Sequence, residues 1–361
     1  MKIKGLAWGM ALLAPLALRS GSLQANEIEL TNMMGGDCCE ADCCETDCCD
    51  ACDCGDGCGC FAPFWFAQTE MTFMGVDSST RGSAGLTLDT AATAGIEVVG
   101  ASDGGYDDFT YAPRIVLGRQ LSEDWAVAGR FWYLSDFDSE TQVPSVAAPI
   151  ALGADSRIKM YTTDLEVIRS GQRGDWKLDG SAGVRHASLD VASSLSAAAL
   201  FPAASFAQSN SSSSSSFDGT GLTSALVGRR QLGDSNAHLF ASARGSILWG
   251  DAQAAATASS VAFDGGGVAL DTQGAIGEGS TEMSIAEFQI GIQWEYKLRR
   301  LPASAFFRTA FEYQYWDVDG DGSATVASAA IAPGTIASGA ANAGGAEVDL
   351  YGLAIGTGFT W

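Results

Sequence analysis

From Ala286 to Leu298 the chain alternates residue by residue. Ala286, Phe288, Ile290, Ile292, Trp294, Tyr296 and Leu298 form one set, and Glu287, Gln289, Gly291, Gln293, Glu295 and Lys297 form the other. Successive side chains on a strand point to opposite faces, so this spacing predicts one strand with an apolar face and a polar face. Its length suits a tilted membrane-crossing strand, and Trp294 and Tyr296 sit at one end, where an interfacial aromatic belt belongs. A soluble antiparallel sheet alternates in the same way. Recurrence has to decide between them.

The pattern recurs. Strands are expected over residues 64–74, 111–121, 125–134, 157–169, 176–189, 219–231, 237–249, 286–298, 304–316 and 348–361. The phase of 219–231 is ambiguous between Leu222/Leu226 and Ala225/Val227, whereas 304–316 sets Phe307, Thr309, Phe311, Tyr313 and Tyr315 cleanly against Arg308, Glu312 and Gln314. Connections alternate between turns of a few residues and loops of about twenty or more. One of these loops holds the serine run 211–216, which reads as a flexible low-complexity segment. Short turns on one side and long loops on the other are the habit of bacterial outer-membrane barrels. On that frame Trp65, Trp125, Trp176, Trp294, Tyr296 and Trp361 fall at the short-turn ends of the apolar faces. Tyr111, Tyr133, Tyr161, Trp249, Tyr313, Tyr315 and Tyr351 fall at the long-loop ends. Two aromatic girdles predict an all-β, transmembrane, antiparallel up-and-down barrel of about ten strands, or twelve if the long loops hide a further hairpin. An open sheet edge cannot stand in lipid, so the first strand should close onto 348–361. That last strand, with Tyr351, Phe359 and Trp361 on one face, resembles the C-terminal signal read by the barrel assembly machinery.

Composition adds compartment and partners. Lys2 and Lys4 precede an apolar run from Leu6 to Leu18, and Ala25 ends a plausible cleavage site, so 1–25 reads as a secretory signal peptide. Removing it takes away three cations and no acid, moving the formal charge from −23 to −26. Such acidity argues against a nucleic-acid partner. All ten cysteines, Cys38, Cys39, Cys43, Cys44, Cys48, Cys49, Cys52, Cys54, Cys58 and Cys60, lie in an acidic five-residue repeat. The chain therefore divides into a leader (1–25), an acidic Cys-rich tail expected in the periplasm (26–61) and a barrel (62–361) facing outer-membrane lipid.

Several short stretches also resemble a known family. The segment Ala112-Pro-Arg-Ile-Val-Leu-Gly118, followed by Trp125-Ala-Val-Ala-Gly-Arg-Phe-Trp-Tyr133, is similar to the first clear hairpin of the Legionella-type pore-forming major outer-membrane proteins. Asp164-Leu-Glu166, Trp176-Lys-Leu178 and Ala182-Gly-Val-Arg185 resemble it too. The resemblance implies a passive pore for ions and small solutes, not an enzyme, and it leaves the cysteine tract unexplained.

In a pore the inward charges are the candidate functional residues. Arg114, Arg130, Arg185, Arg244 and Arg308 stand on polar faces, as do Asp164, Glu166, Glu287, Glu295 and Glu312, with Gln289 and Gln293 between them. Rows of opposite charge across a water path would tune ion selectivity. Their alternative is a lumen plugged by mutual salt bridges, since barrels near eight strands are filled by their side chains. The cysteine tract offers disulfides to other copies or thiolate metal binding, and in the first case the barrel would be a structural anchor for a cross-linking tail. Asp317, Asp319 and Asp321 match half of a calcium loop but lack the closing glutamate, so no cofactor is required by the sequence. The two histidines, His186 and His238, lie on different strands, which argues against a catalytic group.

Overall fold

The computed structural model describes residues 64–90, 93–105, 109–142, 150–201, 205–264, 267–298, 303–319, 323–331, 335–343 and 345–361. The leader, the whole cysteine tract and Asp321 lie outside them. In chain order the strands are β1 (Trp65–Thr90), β2 (Thr93–Gly105), β3 (Thr110–Gln120), β4 (Trp125–Gln142), β5 (Ile150–Arg173), β6 (Trp176–Phe201), β7 (Ser205–Gln231), β8 (Ala237–Asp264), β9 (Gly267–Lys297), β10 (Ser304–Val318), β11 (Ser323–Ile331), β12 (Thr335–Ala343) and β13 (Ala346–Thr360).

Ten of these strands close a barrel. Pairing runs from β3 through β4, β5, β6, β7, β8, β9 and β10 to β13, all antiparallel, and β1 joins β13 on one edge to β3 on the other. Phe66 pairs with Thr360, and Trp65 and Trp361 exchange backbone hydrogen bonds of 2.8 and 2.9 Å, so the terminal strand closes the ring as expected. The four tight connections fall at one end, between β3 and β4, β5 and β6, β7 and β8, and β9 and β10. Gly174 and Gly233 take φ of 59° in two of them, a left-handed conformation that a Cβ disfavours.

The strands themselves are far longer than the sequence periodicity indicates. β9 has 31 residues, about 100 Å at ~3.3 Å per residue, although a tilted membrane strand needs only about ten. The long loops are mostly β-structure. The serine run 211–216 is not a loose segment but the middle of β7, paired with β6 on one side and β8 on the other. The distal part of β1 pairs with β2 and β12, β12 pairs with β11, and this second sheet packs across the extensions of β7, β8 and β9. Beyond the barrel stands a β-sandwich.

Composition explains how that sandwich packs. Ala207, Ser209, Ser211, Ser213 and Ser215 on β7, and Ala254, Ala256, Ala258, Ser260 and Ala262 on β8, are buried on one face. Such small side chains let facing sheets approach closely, and paired hydroxyls satisfy one another at 2.9 Å (Ser209 with Ser260, Ser193 with Ser213). Enlarging one site should wedge the sheets apart. Ala256→Phe is expected to destabilise the sandwich by about 1–3 kcal/mol. Limited proteolysis should then cut the β8–β9 hairpin faster while the barrel keeps its heat-modifiable mobility on gels.

Within the barrel the alternation sets two surfaces. Phe73, Ile115, Leu117, Phe131, Leu165, Val184, Leu222, Leu226, Ile290, Phe311 and Leu353 are exposed on the outer wall. The ambiguous strand resolves with Leu222 and Leu226 outward and Gly221 and Thr223 inward. The inner wall is polar only in part. Toward the long-hairpin end the inward residues turn apolar, and Met74, Trp132, Leu134, Ile158, Met160, Leu189, Leu248, Met283, Trp316, Val348 and Leu350 pack into a buried cluster. The rings of Trp132 and Trp316 lie 5.8 Å apart at its centre.

Candidate functional site

Below this apolar cluster, the inward charges meet in one layer across the lumen. β13 supplies the space. It points Gly352, Ala354, Gly356 and Gly358 inward, and a Cβ on Gly356 would come within 2.5 Å of Glu70 Cγ. Side chains from β1 and β10 therefore lie across a bare stretch of wall. Glu70 accepts from Arg114 Nη1 at 2.8 Å and from Arg308 Nε at 2.9 Å. Arg114 also donates to both oxygens of Glu312. Gln289 and Gln314 each donate to Glu312 at 2.6 Å.

A second group abuts the first. Arg185 donates to the two oxygens of Asp164 at 2.7 and 2.8 Å and, through Nη1, to Glu287 at 2.6 Å. Arg130 reaches Glu287 at 2.7 Å, crossing from β4 to β9. Arg244 pairs with Glu166. Glu287 is the hub: Arg114 and Arg244 also stand 3.9 Å from it. Forked guanidinium–carboxylate pairs are the geometry that lets charges be held away from water. Among the described residues this layer sets Arg114, Arg130, Arg185, Arg244 and Arg308 against Glu70, Asp164, Glu166, Glu287 and Glu312, so its formal charges cancel. No side chain of the layer is more than 12% exposed.

The sequence-predicted residues thus face the lumen, but the opposed rows do not stand apart across water. They are in contact. Glu295 and Gln293 belong to a different level, near the turn end, where Gln293 donates to Glu295 at 2.9 Å and His238 lies 3.7 Å from it. Gln289 and Gln293 are as buried as the charges. His186 is on the outer wall beside Tyr161, at 3.1 Å, so the histidines occupy opposite faces of the barrel. Asp317 lies on β10 and Asp319 just beyond it, its N–H donating to the Glu282 carbonyl. Tyr351, Phe359 and Trp361 project outward along β13.

Two contributors escaped the sequence reading. Glu70 stands on the polar face of its strand, between Gln68 and Thr72, yet only the closure of β1 onto β3 and β13 shows that it holds two arginines. Gln314 supports Glu312 while accepting from Trp316 Nε1 at 3.0 Å, tying the charged layer to the apolar cluster above it. Inward phase was legible for both. Partnership was not.

No family model matches this chain, and no curated protein matches it. Among solved structures it is similar to the outer membrane protease OmpT from Escherichia coli (11% identity, 82% of this chain and 96% of that one, TM-score 0.34). It is also similar to the outer membrane protein OprG from Pseudomonas aeruginosa (9% identity, 83% and 95%, TM-score 0.23) and to the P. putida toluene transporter TodX (9% identity, 81% and 89%, TM-score 0.22). Likeness at this level adds nothing to the barrel geometry itself.

Proposed function

We propose that this chain is an outer-membrane β-barrel whose closed wall anchors a surface-exposed β-sandwich, with the N-terminal tail on the periplasmic side. The observation that carries this reading is the pairing of an outward apolar band with a filled lumen. An exposed apolar surface circling a closed barrel belongs in lipid. Inside, a neutralised charge layer and an apolar cluster leave the barrel occluded in this conformation. In this reading the work of the chain is done outside the membrane, by the sandwich and the tail.

A second reading is a pore for ions or small solutes that opens from this closed state, as the resemblance to the pore-forming family implies. One feature of the lumen favours it. A wall filled only for stability gains more from apolar packing than from buried ion pairs, yet this layer is built from ten charged side chains. Conduction would require those pairs to part.

Planar-bilayer recording of the purified barrel separates the two readings. The anchor reading expects inserted, folded barrels with no stepwise conductance across the accessible voltage range. Reproducible unitary steps would overturn it in favour of the pore. If Arg130→Ala and Glu287→Ala then change the step size or reversal potential under a salt gradient, the charged layer lies in the path.

A further inference from the structure

Outward strand positions are acidic at one rim of the apolar band and carry arginines at the other, where Glu123, Asp124 and Asp175 stand in the tight turns. At the long-hairpin rim, Asp77, Asp218, Asp251, Glu282, Asp317 and Asp349 share the outward phase of Phe73, Leu222, Trp249, Phe288, Tyr313 and Tyr351. They lie just beyond the aromatic girdle, and Tyr313 donates its hydroxyl to Asp349. Arg157 and Lys159 on β5 interrupt this acidic rim. At the turn rim the order is different. Trp65 on β1 pairs in register with Arg119 on β3, Arg119 pairs with Val127 on β4, and Trp125 on β4 pairs with Arg169 on β5. Both arginines are exposed and outward, and each guanidinium lies over an indole, Arg119 at 5.5 Å from Trp65 and Arg169 at 5.4 Å from Trp125.

These arginines differ from the five in the lumen. The lumenal guanidiniums are spent on carboxylates, whereas Arg119 and Arg169 are ion-paired to no carboxylate among the described residues. Stacking on a ring uses the face of a guanidinium and leaves its N–H edge available. The two arginines stand on the strands flanking β4, offset by two residues in register, so their Cα atoms are about 12 Å apart, a span that long arginine side chains can close around one phosphate. The indoles beneath hold the group at the depth where headgroups lie. Resting on the membrane reading above, the geometry points to a phospholipid headgroup site on the outer wall, formed by Trp65, Arg119, Trp125 and Arg169. Its ligand is the phosphate of an anionic phospholipid in the leaflet on the turn side. The leaflet assignment follows from the side on which the tight turns fall.

The test uses the full-length chain reconstituted into vesicles of phosphatidylcholine containing spin-labelled phosphatidylglycerol or spin-labelled phosphatidylcholine. The expected result is a two- to five-fold preference of the motionally restricted shell for phosphatidylglycerol. Arg119→Gln/Arg169→Gln should abolish it, and Arg157→Gln/Lys159→Gln at the other rim should leave it. A hundred-fold excess of inorganic phosphate should not displace the labelled lipid, because a free anion lacks the acyl chains that hold the headgroup in place. A barrel that inserts with no preference, or whose preference survives the Arg119/Arg169 double variant, overturns the site while sparing the membrane reading. Failure of the wild type to insert into phosphatidylcholine alone overturns the membrane reading itself.

Discussion

Glu287→Gln is expected to lower the unfolding free energy of the reconstituted barrel by about 3–5 kcal/mol, the usual cost of leaving buried charges without their partner. Glu287 bonds Arg130 and Arg185 and stands 3.9 Å from Arg114 and Arg244. Glutamine keeps the shape and one acceptor but removes the charge that offsets these guanidiniums. Urea titration in vesicles, followed by tryptophan fluorescence, measures the change. A paired experiment separates structure from gating. Replacing Arg130, Asp164, Arg185 and Glu287 together by apolar residues of similar volume removes two charges of each sign and leaves Arg244 with Glu166 and Arg114 with Glu70 and Glu312. If the layer serves only to fill the wall, that quadruple variant should be neutral or more stable. A loss under about 1 kcal/mol for Glu287→Gln itself would mean that water reaches the layer and screens it.

Phe311→Arg should be nearly as damaging, for a different reason. Phe311 pairs with Ile290 and Leu353, midway along the apolar part of β10, and its side chain is exposed. An arginine near the midplane of a bilayer costs about 2–4 kcal/mol. The informative comparison is Ile276→Arg. Ile276 is more exposed still, at 74% against 50% for Phe311, but it lies on the part of β9 that extends past the acidic rim. An exposed residue in water should tolerate the change within about 0.5 kcal/mol. Equal stability losses at the two positions, measured by the same urea titration, would show that exposure alone, rather than lipid, sets the cost. Exposure distinguishes core from surface; only the solvent distinguishes these two surfaces.

The inward glutamines show where reasoning from one strand stops. Parity places Gln289 and Gln293 in the lumen, and an open lumen would accept a larger polar side chain there. Both are in fact buried, and Gln289 is bonded to Glu312. How much room a lumen holds depends on all ten strands and on what the others point inward. The serine run shows the same limit in another form. Six serines carry no apolar periodicity and read as a flexible segment. Between β6 and β8, however, their backbone groups are paired, and the hydroxyls of Ser212 and Ser213 bond across the sheet to Thr257 and Ser193. Small side chains suit a tightly packed sandwich, but nothing in the run itself announces the second sheet that covers it.

What the chain determines by itself is the alternation and its phase: which residues face out, where the aromatics collect, where the four tight turns fall, and that the last strand must close onto the first. Those follow from a period of two and from the cost of an open edge in lipid, both local or universal. Tertiary structure decides the rest. That Glu70 holds Arg114 and Arg308, that Glu287 is the hub of the charged layer, and that Trp132 and Trp316 meet above it are matters of register between strands distant in sequence. Shifting one strand's register by two residues would leave every face assignment intact and change every one of those partners. Periodicity is blind to that shift. The energies of the closed ring are not.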